Sequence, residues 1–161
     1  MNAIDAIGGT RRQRKLAEEV ARFCVETMMP RMRTLDVIIE LKMKLEDQVK
    51  GYCLSIDKRN FYIEIDKSVD TFEEFVKTVC HEMVHVKQGA RNELVEKSAE
   101  IGPFRLNKQY WKGDDCSAME YAKQPWEIEA YELQEELHDM FVVWKKNQLL
   151  NSFESDSFPS S

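Results

Sequence analysis

Apolar residues recur at Leu16, Val20, Phe23, Cys24 and Met28 among Arg, Glu and Lys, the spacing of one helical face, and the run stops before Pro30. That spacing predicts an N-terminal amphipathic helix. From Leu35 the period falls to two: Leu35, Val37, Ile39, Leu41, Met43 and Leu45 alternate with Asp36, Glu40, Lys42, Lys44 and Glu46, the pattern of a half-buried strand. Two shorter runs, Tyr52 to Ile56 and Phe61 to Ile65, flank Asp57-Lys58-Arg59-Asn60 and read as an antiparallel hairpin. A small antiparallel three-stranded sheet is the expected result.

A second helix is announced by Asp70 three residues before Glu73, and Phe72, Phe75, Val76, Val79, Cys80, Met83, Val84 and Val86 fall on one stripe. Gly89 reads as its stop. The stretch from Ala90 to Gln124 is irregular in pattern, with room for short helical turns or a small hairpin. Pro125 then suits the first turn of a long C-terminal helix reaching Lys146. The expected fold class is α+β: one domain over residues 1–146 and a flexible, Ser-rich tail over 147–161.

Composition narrows the function classes. With 161 residues, 43% of them hydrophobic, the chain holds one core and not two. A net charge of -6 leaves no domain-wide basic field, so nucleic acid is not an expected partner, and Arg11, Arg12, Arg14 and Lys15 read as a solvated helix start. No apolar run approaches the ~20 residues that cross a bilayer, and no signal-peptide pattern opens the chain, so a cytoplasmic protein without membrane contact is expected. Cys24, Cys53, Cys80 and Cys116 form no CxxC pair and are expected as free thiols.

Candidate chemistry sits in the second helix. His81-Glu82-Met83-Val84-His85 is an HExxH sequence, and its four-residue spacing puts both imidazoles on one face, able to bind one metal ion. Glu82 lies about 100° round from His81, where it reaches a water without ligating the metal. Thr78, His81, His85 and Gln88 form a polar line beside the apolar stripe. Imidazole and carboxylate ligands with an open position suit Zn2+, and other divalent transition metals accept the same donors.

A third protein ligand is needed. Glu127 and Glu129 point about 200° apart on the C-terminal helix, so only one faces the ion, and Glu127 is preferred because Ala130 and Tyr131 share its side. Glu129 stays the rival. His138 lies too far along the helix to join Glu127 and reads as a partly solvated histidine. Tyr131 is the first candidate for stabilising an oxyanion, with Tyr110 and Tyr121 behind it.

These residues carry a resemblance. HExxH at His81 to His85, followed by Glu127-Ile128-Glu129-Ala130, resembles the gluzincin zinc metallopeptidases, and is similar to the ImmA/IrrE-type peptidases in pairing HExxH with an E-x-x-A helix. Trp111-Lys112-Gly113 ahead of Pro125-Trp126-Glu127 also resembles small HExxH proteins of phage genomes. SprT-like proteins share the first motif but usually add a third histidine, and this chain has none at a suitable place. The resemblance covers about Phe61 to Leu137, and the interval from His85 to Glu127 is longer than in many gluzincins. It implies a minimal zincin-like fold and zinc-dependent hydrolysis of a peptide or protein substrate, with Glu82 as general base. It also implies a cleft-edge strand that pairs with substrate, for which Phe61 to Ile65 is the candidate. A rival expectation from another class is a zinc-stabilised binding module or phage-type regulator that docks on a host protein.

Overall fold

In the computed structural model, which describes residues 1–157, the alternating run forms strand β2 (Asp36–Met43), with Val37, Ile39 and Leu41 buried on one face. Before it come β1 (Ala3–Gly8) and helix α1 (Arg11–Met28). β1 leaves no periodic signal in the sequence, because its two buried side chains, Ile4 and Ala6, are too few to establish a period. It pairs with β2 in parallel, Ile4 beside Val37 and Ala6 beside Ile39.

β3 (Gly51–Ser55) and β4 (Asn60–Asp66) form the expected antiparallel hairpin, but β4 is the strand that lies against β2, and it runs parallel to it. The sheet order is β1-β2-β4-β3, so the sheet is four-stranded and mixed, not three-stranded and antiparallel. Burial explains the order: β4 brings Phe61, Ile63 and Ile65, all buried, and takes an interior place, whereas β3 brings Gly51, Cys53 and Ser55 to the face under the helices. Phe61 to Ile65 is therefore interior, and β3 is the edge.

α2 (Phe72–Ala90) starts from Thr71, whose hydroxyl accepts from the Glu74 N–H, one residue later than Asp70 suggested. It runs past Gly89, where a Cβ would lie 2.8 Å from the Phe61 ring; this glycine lets helix and sheet close up and does not stop the helix. α1 is closed at its start by a capping box between Thr10 and Gln13. The two helices cover one face of the sheet, and Cys24 of α1 meets Cys80 of α2 with sulfurs 3.7 Å apart; all four cysteines are free thiols.

The stretch read as irregular holds an exposed hairpin, β5 (Leu94–Ile101) with β6 (Phe104–Trp111), extended by the short β7 (Asp114–Asp115). A 3-10 turn at Tyr121–Lys123 leads into α3 (Pro125–Ser157), whose Trp126, Ala130, Leu137 and Phe141 are buried. Phe23 of α1 stacks edge-on to Phe141 at 5.5 Å. α3 continues to Ser157, through most of the segment expected as a tail; residues 158–161 lie outside the described residues. Among the described residues the molecule is thus mixed α+β, with three α-helices and two sheets, and no helix is long and apolar enough to cross a membrane.

The two edges of the main sheet differ. Along β1, α1 takes three of the outward backbone groups: the Glu18 carboxylate accepts from the Ala6 N–H, Arg22 donates to the Ile4 carbonyl and Arg14 to the Gly8 carbonyl. That edge is sealed. On β3 the bonds from Asp66 N–H to the Lys50 carbonyl and from Ile56 N–H to the Asn60 carbonyl set the alternation, so Gly51, Cys53 and Ser55 turn their backbone groups outward. No partner for those groups exists among the described residues.

Candidate metal centre

α2 carries His81 and His85 one turn apart, with ring centroids 4.9 Å from each other. α3 lies across them, and its first turn brings Glu127 between the two rings: Oε2 stands 3.2 Å from His81 Nε2 and Oε1 stands 3.1 Å from His85 Nε2. The donor atoms of the three residues all fall within 4.8 Å of one another, a group that could hold a metal ion. Two imidazoles and one carboxylate on two packed helices leave room for a fourth donor from solvent.

Glu129 goes elsewhere. Its Oε1 accepts from Lys87 Nζ at 2.8 Å and from Gln88 Nε2 at 3.1 Å, so the choice between the two glutamates falls to Glu127 on geometry. His138 pairs with Asp139 at 3.0 Å and takes no part in the cluster.

Glu82 is 4% exposed, and its carboxylate packs against β3, where a Cβ on Gly51 would lie 2.8 Å from Oε1. Burial raises its pKa, the charges of His85 and His81 pull it back, and Glu127 adds to the rise. For His85, burial works against the charged ring, but the Glu127 hydrogen bond and the charges of Glu82 and Glu127 outweigh it and lift the pKa to about 9. For Glu127, burial works against the carboxylate, and the hydrogen bonds from His81 and His85 overcome it, so its pKa falls well below the usual range.

The tyrosines separate. Tyr121 donates its hydroxyl hydrogen to Glu127 Oε2 at 3.0 Å, which leaves Tyr131 to donate to the Tyr121 oxygen at 3.1 Å. The Tyr131 ring stands edge-on to His81 at 4.6 Å. Tyr121, ranked behind Tyr131 from sequence, is therefore the phenol in direct contact with the cluster. Tyr110 lies on β6 beneath Lys97. Burial and the Tyr131 hydrogen bond push the Tyr121 pKa upward, so it stays a proton donor at neutral pH.

Two further side chains had not been assigned roles. His81 Nδ1 meets Gln134 Oε1 at 2.9 Å and His85 Nδ1 meets Gln88 Oε1 at 2.8 Å. Gln88 was visible on the polar line of α2, three residues after His85, but Gln134 is reached only by packing α3 on α2. The cleft around the cluster opens on both sides of it. One arm is bounded by Lys50, Lys77, Tyr131 and Gln134, the other by β3, Glu96, Gln109 and Trp126, and His81, Glu82 and Tyr121 border both.

The chain matches no family model, no curated protein and no solved structure. What the site can do is therefore read from its own atoms.

Proposed function

We propose that this protein is a zinc-dependent metallopeptidase of gluzincin type with a minimal zincin-like arrangement. The observation that carries the reading is the convergence of His81, His85 and Glu127 beside the buried carboxylate of Glu82. Tetrahedral ligands at zinc distances of about 2.0–2.1 Å stand about 3.3 Å apart, close to the nitrogen-to-oxygen gaps of 3.2 Å from His81 to Oε2 and 3.1 Å from His85 to Oε1 of Glu127, a spacing that other divalent transition metals share. A site that only stabilised the fold has no need of a general base, and Glu82 occupies that position.

His81, His85 and Glu127 would hold the ion, and zinc bound by them would supply Lewis-acid polarisation of a water and of the scissile carbonyl. Glu82 accepts the proton of that water on its carboxylate and delivers it to the departing amine nitrogen, a task matched to a pKa raised by burial. For the developing oxyanion the donor at hand is Tyr121, which would turn its one hydroxyl hydrogen from Glu127 Oε2 to that oxygen while Tyr131 keeps donating to the Tyr121 oxygen. The open β3 edge supports an extended substrate: Gly51, Cys53 and Ser55 present backbone donors and acceptors along the cleft, starting beside Glu82. Pairing of this kind reads backbone and accepts many side chains.

The test is metal analysis of the purified protein followed by cleavage of a broad peptide library, with Glu82→Gln and chelator-treated protein as controls. One zinc per chain and cleavage abolished in both controls is the expected result. Zinc binding with no cleavage of any peptide or protein would instead favour the zinc-stabilised binding module.

A further inference from the structure

Gln88 alone among the buried polar and charged side chains described has no exposed surface at all. A primary amide in that position is costly unless its hydrogen-bonding groups are met, and here they are. Its two N–H groups donate to the Trp126 carbonyl at 2.9 Å and to Glu129 Oε1 at 3.1 Å. Both partners are acceptors only, so turning the amide round would set oxygen against two oxygens. The amide oxygen must therefore face His85 Nδ1, 2.8 Å away, and that nitrogen must carry hydrogen. In the neutral ring the lone pair is then left on Nε2, the atom that faces Glu127.

We propose that Gln88 is a positioning residue for the metal centre: clamped by the Trp126 carbonyl and Glu129, it fixes the ring and tautomer of His85 so that Nε2 points at the ion. This rests on the reading that His81, His85 and Glu127 bind zinc. The clamp is itself secured, since Lys87 joins Glu129 at 2.8 Å and Glu93 at 3.0 Å. Its anchors, Trp126 and Glu129, lie one residue before and two residues after Glu127 at the start of α3. Ligand and clamp thus come from the same turn, and the aim of His85 is set relative to the carboxylate it must meet.

The experiment compares wild type, Gln88→Met and Gln88→Glu in two measurements. Zinc affinity is read by competition with a chelating indicator, and the His85 tautomer by long-range nitrogen–proton NMR of metal-free protein at alkaline pH. Methionine keeps the volume and removes the acceptor; glutamate keeps an acceptor for Nδ1–H and removes the donors. Wild type and Gln88→Glu are expected in the Nδ1–H form, while Gln88→Met moves toward the Nε2–H form and loses about 10–100-fold in zinc affinity. A packing role alone would weaken zinc binding in step with lost thermal stability, and glutamate, more disruptive beside Glu129, would then do worse than methionine. Wild-type affinity in folded Gln88→Met overturns the proposal. If that variant does not fold, a wild-type His85 in the Nε2–H form overturns it equally. A wild type that bound no zinc would overturn the metal reading and this proposal together, whereas zinc bound equally by wild type and Gln88→Met overturns this proposal alone.

Discussion

Gly51 and Glu82 share one small space. A methyl group at Gly51 would sit 2.8 Å from Glu82 Oε1 and 3.1 Å from Thr78 Cγ2, so Gly51→Ala must displace the carboxylate or the strand. The expected outcome is a loss of cleavage on the order of tenfold to a hundredfold with zinc content unchanged, measured by peptide turnover and elemental analysis on the same sample. Glu82→Gln keeps the volume and removes the proton acceptor; turnover should fall about 10²–10⁴-fold while the metal stays. pH acts through His85. Its pKa is raised to about 9, so in metal-free protein its pairing with Glu127 contributes stability that is full below about 6.5 and lost as pH rises through about 9. Zinc must displace that proton. Apparent zinc affinity should therefore climb by about tenfold per pH unit and level off above pH 9, and a flat profile from pH 7 to 9 in a competition titration would count against the raised pKa.

At the scale of elements, the basic cluster divides. Arg14 reaches the Gly8 and Gly9 carbonyls and helps seal β1, whereas Arg11, Arg12 and Lys15 are exposed. Replacing those three with Ser should leave stability within about 0.5 kcal/mol, while Glu18→Ala, which strips the Ala6 N–H of its acceptor, should cost about 1 kcal/mol in denaturant unfolding. Periodicity made α1, β2 and the β3–β4 hairpin legible because their apolar residues recur on one side, and α2 legible from its apolar stripe although it is buried nearly all round from Phe75 onward. The β5–β6 hairpin offers no such contrast, since most of its residues are exposed, and it stayed hidden in an irregular pattern. Nor does alternation say which strand lies beside which: β4 pairs with β2 across an intervening strand, a choice made by the buried bulk of Phe61, Ile63 and Ile65. The candidate site divides in the same way. His81, Glu82 and His85 are fixed by spacing along one helix. The angle between Glu127 and Glu129 says that only one faces the ion, and Ala130 and Tyr131 on its side favour Glu127, but Gln134 and Tyr121 come from segments whose approach to α2 no local pattern records.

Across the whole molecule, the candidate metal site is a joint between α2, which carries His81 and His85, and α3, which carries Glu127. Zinc at a thousandfold excess over its dissociation constant would add about 4 kcal/mol to stability, so chelation should lower the melting temperature by roughly 10 °C in calorimetry. Glu127→Ala should abolish most of that difference. The joint also orders events in time. During synthesis His81, Glu82 and His85 emerge some forty residues before Glu127, and α2 can fold on the sheet while α3 is still unmade. Until Pro125 and the turn behind it arrive, the nascent chain has neither its carboxylate ligand nor the Trp126 and Glu129 anchors that aim His85. On the proposed reading, a ribosome-bound chain stopped at Gln124 should be inert toward peptides and blind to zinc, so the candidate site is the last part of the molecule to be completed.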